Sequence, residues 1–158
     1  MNASIIGWGH TPFGKQPEET VETLVVAAAN EAMAHAGLGP EDIDSIVLGH
    51  FNAGFSKQDL TSALVLQANS GLRFKPALRT ENACASGSAA VFQGLNAIEA
   101  GRAKSVLVVG VEKMTDSTPP QIAENLLRAS YLAEEGDTDG GFAGIFGKIA
   151  HAYFQKYG

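Results

Sequence analysis

Short apolar runs alternate with helical patterns through most of this chain, and that alternation narrows the possible folds more than any other feature. "SIIGWG" (4 to 9), "DSIVLG" (44 to 49), "KPALRT" (75 to 80) and "SVLVVG" (105 to 110) have the length and composition of strands, the third being the weakest. Between them, residues 18 to 36 set Val21, Leu24, Val25, Ala28 and Ala32 on one helical face and stop at "GLGP". "KQDLTSALVLQAN" (57 to 69) reads as a second helix, and a third runs from about Ser86 to Ala100. The order β-α-β-α-β-α-β, with right-handed crossovers, predicts an α/β fold: a mostly parallel sheet with flanking helices. With 158 residues, 45% of them hydrophobic and 18% charged, the chain can bury such a core.

Beyond Gly110 the pattern changes. "MTDSTPPQ" and "GDTDGG" are turn-rich and flank a modest helix around Ile122 to Ala133. A final helix then places Phe142, Phe146, Ile149 and Tyr153 on one apolar stripe. No strand pattern follows it. Residues 1 to 115 therefore read as an α/β domain and 116 to 158 as an excursion from the sheet that does not return.

Several function classes are disfavoured. A net charge of -6, with 11 basic against 17 acidic residues and no basic cluster, argues against nucleic acid as a partner. The N-terminus lacks a basic region followed by a long apolar one, and no apolar run reaches the roughly 18 residues of a membrane span, so a cytoplasmic protein away from membranes is expected. "GWGHTP" (7 to 12) follows a strand as a dinucleotide fingerprint would, but Pro12 stands where the third glycine belongs. His10 and His50 follow strands, where open α/β sheets build their sites, although a histidine there is more often structural. His35 and His151 lie in helical patterns and read as surface or packing residues.

The single cysteine, Cys84, can form neither an internal disulfide nor the usual thiolate metal site alone. An isolated cysteine is commonly a small buried hydrophobe. Its setting opens a second reading. A strand ending near Thr80, the link "NAC" and a helix opening at "ASGS" would hold the thiol at a strand-to-helix turn, like the serine elbow of hydrolases. Ala83, Ala85 and Gly87 allow a tight turn and close approach of a substrate. At a helix N-terminus the free N–H groups and the macrodipole favour a thiolate, and the same N–H groups can receive a developing oxyanion. That combination is the chemistry of acyl transfer through a thioester. In the helix that follows, Gln93, Asn96 and Glu99 make a narrow polar stripe among apolar and small residues, so the helix expects cover on more than one side.

"TENACASGSAA", with "SVLVVGVEKMTD" downstream, resembles the N-terminal half of a thiolase, of the sterol carrier protein-like subgroup. "GWGHTPFGK" and "FAGIFGKIAHAYFQKYG" also resemble that subgroup, so the likeness covers essentially the whole chain. The cysteine turn alone would not separate thiolases from ketoacyl synthases; "VEKMTD" favours thiolases. The resemblance implies a two-half α/β/α/β/α fold whose central helices pack between two sheets. It implies Cys84 as the nucleophile that accepts an acyl group from acyl-CoA, with its own N–H in the oxyanion site. Met114 and Phe142 fall in segments near the acyl and pantetheine path, though both also read as core residues. Coenzyme A thioesters are then substrates, and no metal or redox cofactor is implied. Thiolases pair as dimers through edge strands, here "KPALRTEN" (75 to 82), with Lys75, Arg79 and Glu81 tempering the exposed edge.

The departures from the family matter equally. The second half of a thiolase carries an activating histidine in an H-x-x-G or H-D-x-F type motif and a further cysteine or histidine for proton transfer; none is here. The last strand of the first sheet and most CoA-binding residues of the (lid) excursion are missing too. The chain then reads either as a truncation or proteolytic product or as a subunit that works with a complementary polypeptide; the expected activity is Claisen condensation or thiolysis of 3-ketoacyl-CoA in lipid metabolism, completed by a C-terminal half or a partner subunit, with this chain inactive alone. Two alternatives stay open: a non-catalytic thiolase-like scaffold that binds a partner, and a retro-aldolase of the same family, against which the complete elbow around Cys84 weighs.

Overall fold

A computed structural model describes residues 3–158. Among these described residues there are three strands, β1 (Ser45–Gly49), β2 (Ala77–Thr80) and β3 (Val106–Gly110), all parallel, in the order β2-β1-β3. Ile46 stands opposite Ala77 and Leu107, and Gly49 opposite Thr80 and Gly110, so the carboxyl ends of all three strands lie level. The α/β class with a parallel sheet is as the alternating pattern requires.

Strand alternation divides the side chains between two faces. Ile46, Leu48, Leu107 and Val109 meet Val25, Ala29 and Met33 of α1 (Val21–Ala36), together with Val65 and Leu72, in the main core. Val106 and Val108 turn the other way, under α2 (Ser86–Glu99), where a Cβ on Gly94 would lie 3.0 Å from Val108 Cγ2. Gly94 thus brings α2 close to the sheet. Thr20 starts α1 by accepting the N–H of Thr23, whose hydroxyl oxygen accepts the N–H of Thr20 in return. Gly37, at φ 66°, ends the helix in the left-handed region that glycine occupies freely.

Residues 4–9 are not a strand. They run extended along α1, with Gly7 and Gly9 so close that a Cβ would come 2.5 Å from Ala32 O and 2.6 Å from Ala28 O respectively. A strand needs a ladder partner, and the outer edge of β3 lies across a slot of about 540 Å³ walled by Ala32 and Met33 of α1 and by Gly94 and Leu95 of α2. Ile5 is 85% exposed in consequence. The segment 57–69 also differs from expectation: only Thr61–Gln67 is helical, as a 3-10 helix, which places Ser62 and Val65, three residues apart, both inside.

The chain divides into two compact units, one holding the sheet and one made of Ala53–Phe55 with Met114–Gly158. In the second, the expected helix around 122–133 is two pieces, α3 (Pro119–Leu127) and α4 (Leu132–Glu135), and the last helix is α5 (Gly141–Tyr157). Two prolines at the start fix the entry of α3, and Thr118 and Gln121 cap it. Within this unit α3 packs on α5, and Arg128 Nη1 donates to the carbonyl of Ala53 at 2.7 Å. The α5 stripe is largely uncovered, with Phe146, Ile149 and Tyr153 all exposed and no residue of the helix buried.

Candidate functional site

A single 3-10 turn, Ala83–Ala85, joins the end of β2 to the start of α2, and Cys84 is its middle residue, with the thiol exposed. The alternative of a buried filler therefore does not apply. Ala83 has φ 45°, a left-handed conformation that costs a non-glycine residue about 1–3 kcal/mol and persists only where the surroundings impose it. Ser86 imposes it. Its buried Oγ accepts the N–H of Asn82 at 2.9 Å and donates to the carbonyl of Ala83 at 2.7 Å, while the Glu81 carboxylate accepts the N–H of Ala83. No side chain caps α2, so its positive end faces the turn that carries the thiol.

Gly49 fixes this turn against the sheet. A Cβ there would lie 2.6 Å from the carbonyl oxygen of Ser86, so the end of β1 and the first residue of α2 are in backbone contact. On the other face of β1, His50 is completely buried, with Nδ1 3.0 Å from Thr61 Oγ1 and Nε2 3.3 Å from Glu112 Oε1. Arg79 Nε donates to the carbonyl of His50 at 3.0 Å and its Nη2 to that of Phe51 at 3.1 Å. Ser86 and Glu112 are the residues that sequence reasoning missed. A serine at the first position of an uncapped helix and a glutamate two residues beyond a strand end are the signals that could have found them.

The other histidines stand apart from this arrangement. His10 is exposed, its N–H donating to Glu31 and its ring 4.7 Å from that of Phe13. His35 lies beside Trp8 and His151 beside Gln155, both on the surface. Met114 and Phe142 belong to the second unit: Met114 opens a 3-10 turn and is half-buried, and Phe142 sits in the first turn of α5 with its ring 5.2 Å from Phe146. Among the described residues no group of His, Cys, Asp or Glu is arranged to hold a metal ion, and no helix is long and apolar enough to cross a membrane.

Residues 3–140 match the family model of the thiolase N-terminal domain. The chain belongs to the thiolase family. Among the relatives of this thiolase domain is the acetyl-CoA acetyltransferase of Methanocaldococcus jannaschii, 35% identical over 99% of this chain and 40% of its own length. The 3-oxoacyl-[acyl-carrier-protein] synthase III of Aquifex aeolicus VF5 has a similar structure, with a TM-score of 0.56 and 33% identity over 63% of this chain and 32% of that one. The acetyl-CoA acetyltransferase of Syntrophomonas wolfei gives 0.55 and 25% over 66% and 27%. The chain thus spans about two-fifths of the length of the curated acetyltransferases it matches.

Proposed function

We propose that this thiolase domain is the half of an acyl-CoA acyltransferase, of the sterol carrier protein-like subgroup, that carries the nucleophile. The observation behind this reading is the exposed thiol of Cys84 on a clamped elbow between a strand end and an uncapped helix. The thiolate attacks the carbonyl carbon of an acyl-CoA, forming a C–S bond. The oxyanion that develops is received by backbone N–H groups of the elbow, that of Cys84 among them. Collapse breaks the bond to the CoA sulfur, and CoA leaves as the thiol, with the proton that Cys84 gave up. Condensation then joins the acyl carbon to the α-carbon of a second acyl-CoA and returns the thiol; thiolysis of 3-ketoacyl-CoA is the reverse.

Deprotonating that α-carbon takes a base within reach, and we assign it to a complementary C-terminal half or partner subunit. Two features support this. Among the described residues no strand pairs with the outer edge of β3, which borders the slot, and the outward side of α2 exposes Phe92. The free edge of β2, with Leu78 exposed, is where two copies would pair. Met114 and Phe142 are assigned to the acyl and pantetheine path, no metal or redox cofactor takes part, and the assembly acts in the cytoplasm.

The test is to treat the 158-residue chain with acetyl-CoA, alone and with the C-terminal half of a relative, and to map acetyl adducts by peptide mass. An adduct on the peptide carrying Cys84, absent in Cys84→Ala, is expected, with turnover of acetoacetyl-CoA only after the second polypeptide is added. Turnover by the chain alone would refute the half-enzyme reading. Absence of an adduct in both mixtures would refute the acyl-enzyme and favour a docking scaffold.

A further inference from the structure

Resting on that reading of Cys84, we propose that His50 is a positioning residue for the elbow, acting through a Glu112–His50–Thr61 chain in which His50 and Thr61 are fully buried. Side-chain alternation along β1 sets His50 on the same face as Leu48, while Gly49 presents its α-carbon to α2. The three-residue rail Gly49–Phe51 is therefore held from both sides.

On its inner side the ring bridges two elements. Nδ1 meets the hydroxyl of Thr61, itself completely buried, at 3.0 Å, while Nε2 lies 3.3 Å from Glu112 Oε1, an ion-pair distance at which neither of these two buried atoms completes a hydrogen bond. The second oxygen of Glu112 accepts the N–H of Asn52 at 3.0 Å. A carboxylate only accepts, so the tautomer that suits these neighbours carries its proton on Nε2, beside Glu112, and leaves Nδ1 to accept from the Thr61 hydroxyl.

On its outer side the same rail carries the elbow. The N–H of His50 donates to the carbonyl of Thr80 at 3.1 Å, the residue that ends β2, and Arg79 grips the carbonyls of His50 and Phe51. Gly49 touches the Ser86 backbone, and Ser86 clasps Asn82 and Ala83. A shift of the rail thereby moves both ends of the turn that aims the thiol.

A ring that merely filled space would be replaced by leucine without effect on the thiol. Glutamine would replace its bonding, since Oε1 can accept from Thr61 while Nε2 donates to Glu112. The experiment measures the rate of iodoacetamide labelling of Cys84 in the 158-residue chain at fixed neutral pH, with melting temperatures in parallel. His50→Leu should slow labelling by about fivefold or more, the scale of one lost oriented hydrogen bond. His50→Gln should stay within about twofold of the parent. Labelling of His50→Leu at the parent rate, or of His50→Gln as slowly as His50→Leu, would overturn the proposal. If His50→Leu does not fold, Thr61→Val and Glu112→Gln carry the test: slowed labelling in both supports it, and parent rates in both overturn it. The acyl-enzyme reading is judged separately by the acetyl adduct. An adduct with a flat variant series sinks only the positioning role, and the expected series without an adduct sinks only the acyl-enzyme.

Discussion

Replacing Ser86 by alanine tests the elbow most directly, because one buried hydroxyl holds both shoulders of the turn. Its Oγ makes two short hydrogen bonds, 2.9 Å from the Asn82 N–H and 2.7 Å to the Ala83 carbonyl, while the side chain is 6% exposed. Each such bond contributes about 1 kcal/mol net, giving about 2 kcal/mol for the pair. Alanine is the better helix former by about 0.5 kcal/mol, which leaves a net loss of about 1.5 kcal/mol. With a urea slope of about 2 kcal/mol per molar, the unfolding midpoint should fall by about 0.7 M. The same change frees Ala83 to leave its left-handed conformation, so the thiol loses its fixed aim and iodoacetamide labelling of Cys84 should change with the midpoint. Ser86→Thr, which keeps the hydroxyl, is the control. A midpoint drop below about 0.2 M, with labelling unchanged, would show that the clasp contributes nothing and that the turn is held some other way.

Gly49→Ala should cost about 2 kcal/mol in the same urea assay, because the new methyl would meet the Ser86 carbonyl at 2.6 Å and backbone on both sides cannot yield; a loss under about 0.5 kcal/mol would refute that close approach. Asp44 accepts the N–H groups of Lys104 and Ser105, which hold its pKa below the ordinary carboxylate value, with Lys75 and Lys104 adding charge attraction. Its stabilisation is therefore complete above the unfolded value of about 4 and is lost as pH falls through the lower folded value. Asp44→Ala should lower the melting temperature at neutral pH and flatten its decline below about pH 4; parallel acid limbs in parent and variant would refute the assignment.

The legible parts of the sequence were those whose partners are generic. β1 and β3 are short runs of valine, isoleucine and leucine between helical patterns, and such runs pair in parallel wherever the connections are long. α1 could be read because its cap at Thr20 and its stop at Gly37 are local signals. The elbow was legible for the same reason, since small residues around Cys84 mark a tight turn before any contact is known. "SIIGWG" misled because its composition is that of a strand while its fate depends on what lies beside it: with the slot between it and β3, no ladder can form. Thr61–Gln67 misled differently. Its apolar spacing fits an α-helix as well as a 3-10 one, and the choice is made by Thr61, Ser62 and Val65 turning into the core. Ser86 and Glu112 were invisible because their roles are set by hydrogen bonds to backbone elsewhere in the fold.

The position of Cys84 is set by the sheet more than by the helix that follows it. α2 is covered on its sheet side only, by the three strands; Val91 borders the slot beside β3, and Phe92 is exposed on the opposite side. The rail at Gly49–Phe51, by contrast, is held by β2 through Thr80 and Arg79 and by the chain beyond β3 through the bond from the Val111 N–H to the Gly49 carbonyl. Buried His50 and the backbone contact to Ser86 complete the grip from both faces. Contacts from β2, from the chain beyond β3 and from the first residue of α2 all meet on those three residues, so the turn's two ends are tied to the sheet independently of the outward side of α2. A polypeptide that covered the outward side of α2 at Phe92 would then act on Cys84 chiefly by supplying new groups around a turn already set, not by forming the turn.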